Sequence, residues 1–312
     1  MMDSTKDSEA ETSQPKRRRV ERQKPEKIST EDWEALQTRT ENYKTTKKLQ
    51  KPPLDFDGWM RERDLCRDKK NDPEFQSDHF LFNIAFFCNT NRLWDVVTRE
   101  LQAAIEDLPK KEQVVIIFLL RMAGSSREQE KPGRSGAAGI KAHMENLPEY
   151  IKTMPFTGRK TYRAVLNRKE LSIIYDTVAE DLASLDRCAS LDNTSDKIVA
   201  AIREAGEKHA EELSDTKHNT ERKLDFHPMQ IACDLFTLGL VKLDDNGCDC
   251  PSATGSRAGL KHVMRWENNL AATTIKSLAE ATGREPHEVQ TSLCEYNKYV
   301  KWWNGSANYK PR

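Results

Sequence analysis

Several features that define common classes of protein are missing from this chain of 312 residues. The 50 Lys and Arg residues balance the 50 Asp and Glu residues, so no global basic field attracts nucleic acid and any basic surface must be local. The longest apolar run, Val114–Leu120, is far too short to span a bilayer, and no signal-peptide core follows Met1. We therefore predict a protein with no membrane partner.

Neither a disulfide framework nor a metal site is indicated. The seven cysteines are odd in number and lack framework spacing, which favours reduced thiols in the cytosol or nucleus. Zinc ribbons use two paired-cysteine knuckles, whereas this sequence offers one irregular pair, Cys248 and Cys250. A nucleotide-binding P-loop is also missing, because neither Gly133–Lys141 nor Gly158–Thr161 has the required spacing. We predict no metal and no cofactor, and this chain is not expected to be a kinase by itself.

Residues 1–52 are poor in large apolar groups and are predicted to form a disordered tail, with a short helix possible over Thr30–Lys48. The tail holds a basic cluster typical of a signal for a nuclear import receptor: Lys16, Arg17, Arg18 and Arg19. An ordinary solvated charge run is the alternative, and the import signal predicts a nuclear protein. A proline pair marks the start of a folded domain over 53–303, and residues 304–312 are expected to form a second tail.

Residues 56–101 hold the most informative pattern. A helical turn precedes a long apolar helix that is predicted from about Phe80. On this helix the polar residues form one stripe at three- and four-residue steps: Asn89, Arg92, Asp95 and Arg99. Because unpaired buried charges are costly, the stripe is either an internal network that fixes packing or the polar wall of a cleft that meets a phosphate or a base. The two interpretations are compatible, since an arginine oriented by a carboxylate is a well-presented phosphate ligand.

Further helices are predicted over Glu112–Met122, Lys169–Leu185 and Thr194–Leu213, and a last one from Pro286. No alternating strand pattern competes with them, so the predicted fold class is all-α, in one helical domain. In the last helix Tyr296, Tyr299 and Trp303 recur at three- and four-residue steps. Such an aromatic stripe is more typical of a core than of a surface that stacks on bases.

Three segments carry a family resemblance. They are Trp59-Met60-x-Glu62-Arg63 with Asp72-Pro73, then Phe87-Cys88-Asn89-x-x-Arg92-x-x-Asp95-x-Val97-Thr98-Arg99, and finally Leu293-Cys294-Glu295-Tyr296-x-Lys298-Tyr299. They resemble the helical domain of phage 5-hydroxymethyl-deoxyuridine DNA kinases and of the related amino-acid:DNA transferases, also called alpha-glutamyl/putrescinyl-thymine pyrophosphorylases. The resemblance covers roughly residues 54–301 and leaves out the kinase half of the phage enzymes. It implies a helical body distantly similar to helix-hairpin-helix DNA glycosylases.

The family acts on modified thymine in DNA, which requires the base to leave the stack and enter a pocket. The resemblance therefore implies DNA as the partner and contacts to phosphate or base from Arg63, Asn89, Arg92, Arg99, Arg257 and Lys261. Of these, Arg257 and Lys261 lie in a segment expected to form a glycine-rich turn before a helix. A carboxylate base is expected among Asp95, Asp234 and Glu295, although Asp234 could equally cap a neighbouring helix.

Three functions remain open on the sequence alone. The protein is an enzyme that transfers a group to a modified base or cleaves its glycosidic bond, a non-catalytic protein that binds modified or flipped bases in DNA, or a helical scaffold with a nuclear address. We place proteins of DNA base modification first and leave catalysis and the oligomeric state open. This hypothesis expects positions near 92, 257 and 295 to converge on one charged hollow.

Overall fold

The computed structural model describes residues 28–69, 75–85, 87, 90–91, 93, 96–123, 136–154, 166–214, 224, 226–245, 254–266 and 274–306. Its helices are α1 (Thr30–Thr46), α2 (Phe56–Asp68), α3 (Phe80–Ile84), α4 (Val96–Ile105), α5 (Lys110–Met122), α6 (Ala137–Lys141), α7 (Leu147–Thr153), α8 (Arg168–Ala183), α9 (Leu191–Lys208), α10 (Phe226–Thr237), α11 (Thr254–Trp266), α12 (Ile275–Thr282) and α13 (Pro286–Trp303). A 3-10 turn over Met144–Asn146 precedes α7. Two short parallel strands, β1 (Arg187–Cys188) and β2 (Lys242–Leu243), pair with each other. The fold is all-α, as the helical periodicity predicts.

The helices form two groups that share one hydrophobic core. In the terminal group, α13 packs against α2, α3, α11 and α12, so the two ends of the described chain meet. In the central group, α4–α10 pack on one another, with α5 against α8 and α10 and with α9 between α8 and α10. The central helix α5 is buried along the whole run Val114–Met122, because a helix that is apolar on all sides must be covered on all sides.

The terminal group is built from aromatic side chains. The rings of Trp59, Phe82 and Phe87 pack within 6.3 Å of one another, measured between centroids. From α13, Tyr296 contacts Trp59 at 6.2 Å, and Tyr299 contacts Phe82 and Phe87, both at 6.2 Å. Tyr296 and Tyr299 are completely buried, so the aromatic stripe of the last helix belongs to the core at these two positions.

The single long helix predicted from Phe80 is wrong, because α3 ends at Ile84 and Ala85 has an extended backbone. The reason is the packing of Phe82 and Phe87 against the same indole ring of Trp59. Five helical residues correspond to about 140° of rotation, so a continuous helix could not turn both rings to one partner. Leaving the helix at Ala85 lets both rings reach Trp59. The polar stripe drawn on that helix therefore loses its geometric basis.

Both tail boundaries differ from the expectation, because residues 28–52 and Asn304 belong to the folded body. The helix α1 begins after the N-cap Ser29, whose side chain accepts from the amide of Asp32. At the other end, Asn304 Oδ1 accepts from the amide of Gln50 at 2.7 Å, and its Nδ2 donates to the Gln50 carbonyl at 3.0 Å. Arg39 of α1 donates from Nε to the carbonyl of Trp303 at 3.0 Å. The carbonyl of Trp303 lies at the end of α13, where a helix leaves backbone acceptors open, and the bonds to Gln50 attach the segment after α1 to the same place.

Candidate functional site

The most polar place where distant segments meet lies between α2 and the beginning of α13. We call it the α2–α13 cluster and define it by Asp64, Thr90, Arg284 and Glu288. The helix α2 buries Trp59 and Met60, and Asp64 follows Met60 by one helical turn. Asp64 is therefore carried to the edge of the buried face, where a carboxylate remains partly hydrated.

Both carboxylate oxygens of Asp64 are bound. The hydroxyl of Thr90 donates to Oδ1, and the guanidinium of Arg284 donates to Oδ2 in an ion pair. The side chain of Asp64 is 17% exposed and that of Arg284 is 21% exposed, so the pair is reachable from solvent. One carboxylate thus joins α2, the segment after α3 and the turn before α13, three parts of the chain that are far apart in sequence.

Glu288 adds a second carboxyl to the cluster. It is only 6% exposed, and this burial raises its pKa, while the guanidinium of Arg284 and the backbone amide of Glu285 oppose the rise. The neighbouring carboxylate of Asp64 acts in the same direction as burial. The carboxyl group of Glu288 therefore keeps its proton to a higher pH than an ordinary glutamate, and in that form it can donate a hydrogen bond.

Two exposed apolar residues are close in sequence to members of the cluster. Among the described residues three large hydrophobic side chains are exposed, and two of them are Leu65 and Leu93. Leu65 follows Asp64 in α2, and Leu93 lies three residues after Thr90.

Arg63, a predicted contact to DNA, directly precedes Asp64 of the cluster in α2. Nε of Arg63 donates to the carbonyl of Phe87 at 3.1 Å, so this guanidinium anchors the chain just after it leaves α3. The third exposed hydrophobic residue, Met264, lies elsewhere, on α11. Arg63 thus has at least one structural partner, in addition to the role that the resemblance implies.

Asp234, a predicted catalytic carboxylate, is buried in the central group. Arg121 of α5 donates to it from Nε at 2.5 Å and from Nη2 at 3.1 Å, which makes a two-pronged ion pair between α5 and α10. The side chain of Asp234 is 0% exposed and that of Arg121 is 9% exposed. This pair ties two helices together, and the carboxylate that was predicted to line a cleft is covered by the fold.

Glu295, another predicted carboxylate, lies on α13 and is 4% exposed. It forms an ion pair with Lys298 one turn later on the same helix. Both described carboxylates of the predicted set are therefore engaged with cations inside the fold.

The segment with Arg257 and Lys261 is helical, so the expected glycine-rich turn is wrong: both residues lie within α11. A Cβ on Gly255 would come 2.5 Å from Sγ of Cys294, and one on Gly259 would overlap the carbonyl of Leu293. The glycines therefore allow α11 to approach α13 closely and do not form a cradle for a ligand. Arg257 and Lys261 are exposed.

Three other parts of the prediction have separate outcomes. Arg99 is exposed on α4, whose main partners are α5 and α6 of the central group. Asn89, Arg92 and Asp95 lie outside the described residues, as do Lys16, Arg17, Arg18 and Arg19. The convergence of positions 92, 257 and 295 and the basic import signal therefore stay predictions.

The helix α10 begins at Phe226, two residues before Pro228. His227 and Pro228 are both buried, so the beginning of this helix is covered by the fold.

Sequence reasoning missed Arg121, Arg284, Asp64 and Glu288. A signal existed for Arg121, since it is the one charged residue after the apolar run of α5, where an unpaired charge is unfavourable. Asp64 directly follows the motif residue Arg63, and Arg284 precedes the predicted start of α13 by two residues. Their pairing joins positions 220 apart and leaves no trace in local periodicity.

In the part of the chain that the structure describes, no group of three metal-ligating side chains could hold an ion, and none of the helices has the length and apolarity to cross a membrane. Compared with known proteins, the chain matches no family model, no curated protein and no solved structure. The fold therefore defines the class of this protein as all-α.

Proposed function

We propose that this protein binds DNA that carries a modified thymine of the 5-hydroxymethyluracil type, and that it does so in the nucleus. The observation that carries the proposal is that the two motif-bearing ends of the chain meet in the terminal group. The motif residues Trp59 and Tyr296 are in ring contact at 6.2 Å, and Asp64 of α2 pairs separately with Arg284, just before α13. The resemblance to thymine-hypermodification proteins gives the partner.

The cluster has the chemistry to meet a base that has left the stack. A pyrimidine of this type presents carbonyl oxygens and one N–H along its edge, with two apolar faces. The carboxyl group of Glu288 donates to a carbonyl when protonated and accepts from the N–H when ionised, and burial raises its pKa. The guanidinium of Arg284 has N–H groups beyond those used by Asp64. The proposal assigns contact with the faces to the exposed Leu65 and Leu93.

The ion pairs of the two described candidate carboxylates, Asp234 and Glu295, favour a protein that binds DNA without catalysis. Asp234 pairs with Arg121 and Glu295 pairs with Lys298, so neither is poised as a general base. A distant likeness to helix-hairpin-helix DNA glycosylases, with α10 at the position of the family's hairpin, remains part of the proposal. So does delivery by an import receptor that binds Lys16–Arg19.

The test compares two duplexes that differ in one base, thymine or 5-hydroxymethyluracil, by fluorescence anisotropy with the full chain. We expect tighter binding of the modified duplex, a loss of this preference in Arg284→Ala and Glu288→Ala, and its retention in Glu288→Gln, whose amide still donates and accepts. Lys276→Ala on α12, an exposed residue paired with Asp245, is the matched control. Equal affinity of the wild-type protein for both duplexes would overturn the proposal.

Mass spectrometry of the nucleosides after incubation separates binding from catalysis. An unchanged nucleoside supports a binding protein. A new nucleoside identifies a transferase, and release of the free base identifies a glycosylase-like enzyme.

A further inference from the structure

One surface of the terminal group has a charge pattern that the α2–α13 cluster does not explain. Arg257, Lys261 and Arg265 follow one another at four-residue steps on α11, and all three are exposed. We call them the α11 stripe. At 1.5 Å of rise per residue, neighbouring members lie about 6 Å apart along the helix axis.

The side of α11 that packs against α13 shows which way the α11 stripe faces. Gly255 and Gly259 contact Cys294 and Leu293 of α13 so closely that no side chain fits between the helices. Arg257 lies about 200° around the helix from Gly255, on the side away from α13. The close glycine contact therefore holds α11 firmly while its outer face, with the stripe, is presented to solvent.

The stripe contains no compensating acid of its own. No Asp or Glu occurs anywhere in α11, and the exposed face also carries Met264, which is 51% exposed. At the end of the helix, Trp266 stacks on His262 with 5.0 Å between ring centroids, and Nζ of Lys51 donates to the carbonyl of Trp266 at 3.1 Å. A cation-rich face with a half-buried aromatic ring differs from an ordinary solvated surface.

The helix α9 of the central group shows what the ordinary surface looks like. Its exposed cations Arg203 and Lys208 are interleaved with the exposed acids Glu204 and Glu207. Such a mixed face is solvated and nearly neutral. Because the whole chain has zero formal charge, a helix without any acidic residue is a local exception, and its exposed cations suit an anionic partner.

We propose that the outer face of α11 is the surface along which the DNA backbone lies, with Arg257, Lys261 and Arg265 each meeting a phosphate. This inference rests on the proposed function and adds the residues that hold the backbone. A row of cations at a regular step complements a row of phosphates and needs no particular base sequence. Arg257 also has a contact within the protein, and its guanidinium has enough donors to serve both partners.

The experiment measures the affinity of the full chain for an unmodified duplex of about 20 base pairs between 50 and 200 mM salt. We expect the triple variant Arg257→Ala, Lys261→Ala, Arg265→Ala to lower the slope of log K against log salt by about 2.7, since each lost phosphate contact removes about 0.9. The matched control Arg203→Ala, Lys208→Ala, Lys242→Ala also removes three exposed cations and is expected to keep the wild-type slope. Equal melting temperatures of the three proteins show that all of them are folded.

An unchanged slope in the α11 triple variant overturns the inference. So does a competition experiment in which poly-glutamate displaces the wild-type protein and the triple variant from the duplex equally well. The proposed function fails separately, when wild-type protein has equal affinity for modified and unmodified duplexes. A slope loss without base preference keeps the backbone surface and rejects the modified base. No binding of either duplex at 50 mM salt rejects both.

Discussion

The central and terminal groups both contain an ion pair between helices or segments, but the two pairs differ in their exposure to solvent. Asp234 is fully buried against Arg121, so the pair joins α5 to α10 inside the fold. Asp64 and Arg284 remain about one-fifth exposed and have the buried Glu288 as a neighbour. We call Arg121–Asp234 the sealed pair, which stabilises the fold, and Asp64–Arg284 the half-open pair, which remains accessible to a ligand. Burial thus separates the two roles that the sequence could not distinguish for its carboxylates.

The largest predicted effect concerns the sealed pair. Replacing Asp234 by Asn removes the carboxylate that pairs with the buried Arg121, and we expect a loss of about 3–5 kcal/mol in the free energy of unfolding. Urea unfolding followed by circular dichroism measures it. The double variant Arg121→Met, Asp234→Leu is expected to recover most of the loss, because both charges of the pair are then removed together. Asp176→Ala, which breaks the exposed pair with Lys111, is the control and should cost under about 1 kcal/mol.

The second prediction tests the aromatic core of the terminal group. His79 is packed among aromatic rings, accepts from the amide of Leu81 on Nδ1 and contacts the hydroxyl of Tyr299 with Nε2 at 2.8 Å. Burial, aided by the charge of Arg39, lowers its pKa to about 4.

Because the pKa of His79 is lower in the folded than in the unfolded chain, the unfolded state takes up the proton first. Stability is therefore complete above pH 6.5, falls as the pH drops from 6.5 toward 4, and loses about 3 kcal/mol from this group alone. Urea unfolding of wild type and His79→Gln at pH 7.5, 6 and 5 measures the dependence. A wild-type profile as flat as that of the variant contradicts the neutral, buried state of His79.

The third prediction concerns the contact between α11 and α13. Gly259→Ala puts a methyl group into the carbonyl of Leu293, so α11 must move away from α13, and we expect a loss of about 1–3 kcal/mol. Gly136→Ala, whose new methyl group would meet no atom within 4 Å, is the control. Thermal unfolding measures both, and a neutral Gly259→Ala would show that the glycine is not needed for the close approach.

The smallest effect is expected at the half-open pair. Arg284→Ala leaves Asp64 bound to Thr90 and in contact with water, so its loss should cost about 1 kcal/mol or less in urea unfolding. A cost as large as that of Asp234→Asn would make the Asp64–Arg284 pair a packing element like the sealed one. It would also remove the distinction between the two groups.

The sequence predicted most helices because each is an amphipathic or fully apolar segment with local start signals. The last helix begins at Pro286, as its proline and early acids indicate. The break after Ile84 could not be predicted, because it depends on Trp59 as a shared partner for two phenylalanines. No member of the α2–α13 cluster was predicted from the sequence, although Arg63, the residue before Asp64, was. The pairing of Asp64 with Arg284 depends on the tertiary fold, which periodicity does not reveal.

The end-to-end closure of the terminal group has a consequence for biosynthesis. The buried face of α2 stays incompletely covered until α13 has been made, because Tyr296 of α13 contacts both Phe56 and Trp59. The central group makes its main contacts with itself and can fold earlier during translation. Loss of the last helix, for example by a premature stop codon, would therefore leave an aromatic surface exposed on the nascent chain, which makes such a product a substrate for chaperones and proteases.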